Sequence, residues 1–180
     1  LREIWKKTTE QDALIGVGMT GIASGRVLHL DLKEAADEVK HVNNKISEKI
    51  GISFAARCTT IKPSGTSSLV LGTASGIHAW HSQFYLRRMR IGKNEALYSY
   101  LLENHPQLIE DDLLNSKQAI ICIPQKAPAG SITRTEPVMN LLERIKLFNT
   151  EWVRRGFRMG YNANNVSATV SIKDDEWDQV

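Results

Sequence analysis

The feature that most constrains the fold is the change of period at Gly51. Before it, Leu32, Ala35, Ala36, Val39, Val42, Ile46 and Ile50 recur at three- and four-residue intervals, while Lys33, Glu34, Asp37, Glu38 and Lys45 occupy the opposite face. That spacing predicts an amphipathic helix closed by Gly51. After it, residues 52–61 are rich in apolar and β-branched residues and run into Lys62-Pro63-Ser64-Gly65-Thr66-Ser67-Ser68, which reads as a strand feeding a tight polar loop. A helix delivering a strand, which delivers a Gly/Ser loop, is an α/β arrangement.

The remaining segments fit that class. Residues 12–30 crowd small and apolar side chains around Gly16, Gly18, Gly21 and Gly25 and are read as a buried helix. Leu69-Val70-Leu71 is expected to begin a short helix, and residues 93–104 a longer one stopped by His105-Pro106. Ala119 to Ile123 reads as a short buried strand ending before Pro124. Thr135 and Pro137 suit a helix start, after which Val138, Leu141, Leu142, Ile145, Phe148 and Trp152 keep helical spacing to Gly156. Residues 165–172 alternate as a last strand. The order predicts parallel strands joined by crossover helices.

Composition excludes several classes. With 180 residues, 42% hydrophobic and 24% charged, the chain has the makeup of a soluble globular protein. The formal charge of +3 is spread along the chain and does not point to nucleic acid or membrane. No apolar run approaches the roughly 20 residues that span a bilayer, and no leader opens the chain, so a cytoplasmic location is expected. Leu1 is not an initiator methionine, and Glu176 to Val180 reads as the first turn of an unterminated helix. Both ends therefore read as cut, and without an internal repeat or linker residues 1–180 are taken as one fragment.

The Pro63 to Ser68 loop is the sharpest chemical feature. A strand-to-helix turn gathers free backbone amides, and Ser64, Thr66, Ser67 and Ser68 add hydroxyl donors, a set that fits a phosphate. An ordinary capped turn explains the same residues. No Gly-Lys-Ser/Thr signature makes it a P-loop, and Ser64 lies in no Gly-x-Ser-x-Gly elbow. His78 and His81 lack a third ligand at a recognisable spacing, so they are read as structural and no metal is expected. Cys58 and Cys122 lie in apolar stretches without zinc or redox spacing, and read as buried reduced thiols; a disulfide between them is the other reading. Tyr85-Leu86-Arg87-Arg88-Met89-Arg90 suits nucleotide phosphates or nucleic acid, or equally a strand face with structural ion pairs. Asn162, Asn164 and Asn165 are good turn residues before a strand, and the acidic clusters at 110–112 and 174–176 read as solvated faces or helix starts.

Taken in order, these features resemble one family. Cys58-Thr59-Thr60-Ile61-Lys62-Pro63-Ser64-Gly65-Thr66, Gly76-Ile77-His78-Ala79-Trp80-His81 and Tyr85-Leu86-Arg87-Arg88 open the match. Pro124-Gln125-Lys126-Ala127-Pro128, Trp152-Val153 and Asn164-Asn165-Val166-Ser167-Ala168-Thr169-Val170 continue it. Together they are similar to the class II, adenosylcobalamin-dependent ribonucleotide reductases, in the monomeric branch that reduces ribonucleoside triphosphates. The resemblance implies the later, C-terminal part of that family's ten-stranded α/β catalytic barrel, with Pro63, Ser64, Gly65, Thr66 and Ser67 binding substrate phosphates and Arg87 and Arg88 secondary. It further implies an oxidoreductase that replaces the ribose 2′-hydroxyl by hydrogen, through a thiyl radical generated with the cobalt cofactor, and a thioredoxin-like dithiol reductant. The family's Asn-x-Cys-x-Glu radical motif does not occur here, so the radical cysteine is expected outside this chain. No catalytic residue is assigned, and the segment alone is expected to be inactive. Phe157 stands where the family pattern has His. The rivals are a reductase of another radical class and a nucleic-acid-binding module built on Tyr85 to Lys93.

Overall fold

In α2 (Leu32–Ile50) the chain folds as its period dictates, and the ends show why. Asp31 Oδ1 accepts from the Lys33 and Glu34 N–H groups at 3.0 Å each, and Gly51, at φ +74°, donates back to the Ser47 carbonyl at 2.9 Å. Leu32 and Ala36 are buried on the inner face. The structure is a computed structural model that describes residues 2–158 and 163–180, so Asn162 lies outside the described residues. The chain divides into two compact units, residues 1–80 with 128–180, and residues 81–127.

The first unit is built on an apolar cluster of Ile22, Leu32, Ala36, Ile61, Ile77, Phe148, Trp152 and Val153. Three extended segments cross it. Val17 N–H donates to the Cys58 carbonyl at 2.7 Å and Thr60 N–H to Val17 at 3.0 Å, while Ile61 N–H donates to Asn165 at 3.1 Å and Ser167 N–H to Ile61 at 2.9 Å. Both pairings, Val17 with Thr59 and Ile61 with Val166, are parallel. The parallel expectation survives here as bridges rather than as full strands. Residues 52–61 do not form a continuous ladder because other partners claim their backbone: Ala55 N–H goes to Asn43 Oδ1 and Ala56 N–H to the Asp12 carbonyl. The expected strand over residues 165–172 is interrupted in the same way, since Thr169 N–H donates to His78 Nε2.

The helix expected over residues 12–30 does not form. A separate helix, α1 (Glu3–Asp12), ends at Ala13 with φ +42°, and Gly21 and Gly25 adopt φ +75° and +91°. Those glycines break the helical path, leaving only short 3-10 turns at Ile22–Ser24 and Arg26–His29. Gly16 has a packing reason of its own: a Cβ there would meet Thr60 Cγ2 at 3.0 Å.

A short helix, α3 (Gly65–Val70), follows the polar loop. In the C-terminal part of this unit α5 (Val138–Phe148) starts after Pro137 and continues through a wider π-type turn, Asn149–Val153. Its first N–H, on Val138, is taken by Glu176 Oε1 at 2.9 Å, and Glu176 Oε2 accepts from Lys173 N–H at 3.0 Å. These two backbone donors hold the Glu176 carboxyl below its ordinary value near 4.5. Arg144 on α5 grips Glu136 with both terminal nitrogens, at 2.9 and 2.6 Å, out of solvent.

The second unit holds β1 (Phe84–Gly92), α4 (Ala96–Asn104), β2 (Ile109–Asp111) and β3 (Gln118–Lys126). Its sheet has the order β1-β3-β2 and is antiparallel throughout, not parallel. The physical reason is its solvation. Ile91, Ala119 and Ile121 lie buried against Tyr98 and Leu101 of α4, while the other face carries exposed Phe84, Leu86, Arg88 and Arg90. One covered and one wet face suits antiparallel pairing, whereas parallel sheets need both faces covered. Strand β3 also outruns its expected end, passing through Pro124 opposite Leu86. Among the described residues no helix is long and apolar enough to cross a membrane.

Candidate functional site

The polar loop reaches the surface from a buried base. Ile61 is fully buried, whereas Lys62, Pro63, Gly65, Thr66 and Ser67 are exposed and Ser64 is half-buried. The helix begins at Gly65, earlier than the expected Leu69, so the Gly/Ser residues form its first turn instead of a loop ahead of it. Ser64 precedes it in the left-handed conformation, φ +52° and ψ +40°, one of two non-glycine residues with positive φ among those described. Such a conformation costs an L-residue about 1–2 kcal/mol, and local strain of this kind collects at ligand sites.

The first helical bond runs from Ser68 N–H to the Ser64 carbonyl at 2.9 Å, so the N–H groups of Gly65, Thr66 and Ser67, all exposed residues, precede the hydrogen-bonded ladder. A six-residue helix has little macrodipole; the donors this turn offers are the amides themselves and the hydroxyls of the exposed Thr66 and Ser67. Ser68 is not one of them. It is buried and its hydroxyl donates to the Gly65 carbonyl at 3.2 Å.

Beneath the loop lies a support that the sequence did not announce. Thr20 Oγ1 accepts from Gly76 N–H at 2.9 Å and donates to the Ala74 carbonyl at 3.0 Å, and Gly21 N–H donates to Ala74 at 2.8 Å. The Ser75 hydroxyl donates to the Pro63 carbonyl. Gly76, at φ +55°, passes so close that a Cβ would sit 2.3 Å from the Lys62 carbonyl oxygen. Gly72 shares the positive φ, +60°, with nothing within 4 Å. Gly72→Ala is therefore expected to cost only the backbone strain, about 1–2 kcal/mol. Gly76→Ala adds a collision with backbone, and is expected to cost about 1–3 kcal/mol more and to displace the loop. Amide exchange of residues 62–68 in the two variants measures the difference; equal exchange would show that Gly76 does not support the loop.

Arg87 and Arg88 belong to the second unit. Alternation along β1 puts Arg87 on the face with Tyr85, Met89 and Ile91, and Arg88 on the other, where it pairs with Glu110. Arg90 pairs with Asp112 at 2.7 Å and Lys93 with Asp111 at 2.6 Å. The acidic cluster at 110–112 thus neutralises most of the basic cluster at 85–93, the ion-pair reading of that stretch. The same pairing, with the Leu114 N–H as the larger influence, holds the Asp112 carboxyl below its usual range.

Both cysteines are free and buried. Burial raises the Cys58 thiol, and burial with the Glu110 carboxylate 3.2 Å from its sulfur raises that of Cys122. Neither is activated as a nucleophile. His78 uses both ring nitrogens, Nδ1 with the Ser75 carbonyl and Nε2 with Thr169 N–H, each at 2.9 Å. It lines a pocket of about 260 Å³ with Arg134, Glu136, Thr169 and Ser171. His81 stacks at a tilt on Tyr85, centroids 5.4 Å apart. Among the described residues no group of three or more His, Cys, Asp or Glu side chains is arranged for a metal ion. Asn164 does more than turn the chain: its Nδ2 donates to the Thr59 carbonyl at 3.0 Å and, at a longer 3.4 Å, to that of Ile15, tying all three extended segments together.

No family model matches the chain. It is 30% identical over 178 residues to an adenosylcobalamin-dependent ribonucleoside-triphosphate reductase of Euglena gracilis, covering 93% of this chain and 23% of that protein. A probable adenosylcobalamin-dependent ribonucleoside-triphosphate reductase of Dictyostelium discoideum is 32% identical over 167 residues, 88% of this chain and 20% of the relative. Among solved structures, a B-12 dependent (class II) ribonucleotide reductase shares the fold with a TM-score of 0.76 at 20% identity, over 98% of this chain and 28% of that one. The chain thus spans about a fifth to a quarter of the length of the curated relatives it matches. Along nearly its whole length it is related in sequence to one segment of the adenosylcobalamin-dependent ribonucleoside-triphosphate reductases.

Proposed function

We propose that this chain is the substrate-phosphate-binding segment of a ribonucleoside-triphosphate reductase that depends on adenosylcobalamin and converts ribonucleotides to 2′-deoxyribonucleotides. The observation that carries the reading is the similarity of 93% of the chain to a reductase of that name. The parallel segments at residues 17, 57–61 and 165–167 are then part of a ten-stranded α/β barrel completed by the rest of the protein. The γ-, β- and α-phosphates of the substrate sit on the N–H groups of Gly65, Thr66 and Ser67 and on the Thr66 and Ser67 hydroxyls, with Pro63 and Ser64 shaping the turn. The exposure of these donors and the strained Ser64 support the assignment. Arg87 and Arg88 are secondary: Arg88 is already committed to Glu110.

The described residues do not assemble a corrin site. The pockets at His78, at Arg158 and along α2, about 260, 440 and 410 Å³, are each too small for a corrin with its nucleotide loop, and neither cysteine is an activated thiol. No step through cobalt is assigned to these residues; the radical cysteine and the thioredoxin-like dithiol reductant act through other parts of the protein. The contribution of this segment is to hold a triphosphate in place while chemistry occurs elsewhere.

In the full-length protein Thr66→Ala removes one charge-assisted hydrogen bond, and the KM for ribonucleoside triphosphate is expected to rise about tenfold with a smaller change in kcat. An unchanged KM would remove Thr66, and with it the loop, from the substrate site.

A further inference from the structure

We propose that His78 is a positioning residue for the phosphate loop, acting through Ser75. The inference rests on the loop's binding substrate phosphates. A backbone amide can only donate, so the Thr169 N–H, 2.9 Å from His78 Nε2, makes that nitrogen an acceptor. The neutral ring then carries its proton on Nδ1, which donates to the Ser75 carbonyl, also at 2.9 Å. His78 N–H donates to the same carbonyl at 2.9 Å, so Ser75 is held twice by one residue. From the far side of Ser75 the hydroxyl donates to the Pro63 carbonyl.

That last bond reaches the phosphate groups through peptide geometry. The Pro63 carbonyl and the Ser64 N–H are opposite ends of one planar unit, so pinning the oxygen inward points the N–H away from it and fixes the plane on which left-handed Ser64 turns. The direction of the Gly65 and Thr66 amides follows from that plane. A continuous line therefore runs from Thr169 in the last extended segment, through His78 and Ser75, to the peptide that aims the anion-binding groups. The Gly76 contact with the Lys62 carbonyl leaves the loop no room to settle lower if the line is cut. Gly76-Ile77-His78 thus holds up the loop formed by Pro63 to Ser67, and two motifs separate in sequence become one supported turn.

The test uses the full-length protein and two amide replacements that imitate different ring nitrogens. In His78→Asn the side-chain amide falls near Nδ1 and keeps the donor to Ser75; in His78→Gln it falls near Nε2 and keeps only the acceptor for Thr169. Affinities are measured for a ribonucleoside triphosphate and for the same nucleoside without phosphates. His78→Gln and Ser75→Ala are expected to weaken triphosphate binding about tenfold, His78→Asn by less than about threefold, and none to alter nucleoside binding more than about twofold. A histidine that merely fills space would not rank asparagine above glutamine. Should His78→Gln fail to fold, Ser75→Ala carries the same reading. The inference is overturned if Asn and Gln lose triphosphate affinity equally, or if both Gln and Ser75→Ala bind like the parent while Thr66→Ala does not; the loop assignment then stands. A parent protein that binds triphosphate no better than nucleoside overturns the loop assignment, and this inference with it.

Discussion

Arg144→Met is expected to destabilise the region around α5 by about 3–5 kcal/mol, because it leaves the Glu136 carboxylate buried without its partner. The two side chains are 6% and 11% exposed, and the pair is bidentate, so little water can replace the guanidinium. The pair is also imperfect: Arg144 Nε is buried with no hydrogen-bond partner among the described residues. An apolar pair in the same space should therefore do nearly as well, and Arg144→Met with Glu136→Leu together is expected to recover most of the loss. Amide exchange over α5 in the full-length protein reads this as two to more than three orders of magnitude faster local opening in the single variant, by the conversion of about 1.4 kcal/mol per tenfold. Exchange unchanged in the single variant would show that the pair carries no weight in the fold.

Phe148→Ala is expected to cost a similar amount, about 3–5 kcal/mol, by a different cause. Phe148 is fully buried in the cluster formed with Ile22, Leu32, Ala36, Ile61 and Ile77, and truncation leaves a cavity that those neighbours, fixed on four separate segments, cannot close. Ile61 is the residue that delivers the chain to Lys62, so loss of packing here is expected to raise exchange in residues 62–68 as well as in α5. Leu114→Ala, at a side chain 89% exposed, is the control and should change stability by no more than about 0.5 kcal/mol. Exchange in residues 62–68 that stays at the parent rate in Phe148→Ala would separate the loop from this core.

These effects show which parts of the molecule its sequence discloses. Helix α2 was legible in its apolar period and its Gly51 stop because that information is local, while the Asp31 cap at its start emerges only in the structure. The Gly/Ser turn was legible for the same reason, although the helix starts at Gly65 and not at Leu69, a shift produced by Ser64 taking the left-handed conformation that composition does not reveal. What escaped was non-local. Arg88 meets Glu110 across β3, twenty-two residues away in sequence, so neither the antiparallel order nor the ion pairs can be read from β1 alone. The strands expected over 52–61 and 165–172 shorten to bridges because Asn43, Asp12 and His78, each far along the chain, take the backbone groups a ladder would use. Thr20 and Ser75 gave no signal of their own; only the closeness of Gly76 to Lys62 marks the support under the loop. The similarity to the reductases was legible from the order of short motifs, a kind of information that depends on none of these contacts.

The most direct measurement is ribonucleoside-triphosphate reduction by the full-length protein with a dithiol reductant, with and without adenosylcobalamin. Deoxynucleotide is expected to form only when the cofactor is present. Reduction that proceeds without it, or a folded protein that binds triphosphate and reduces nothing with the cofactor supplied, would contradict the proposed function.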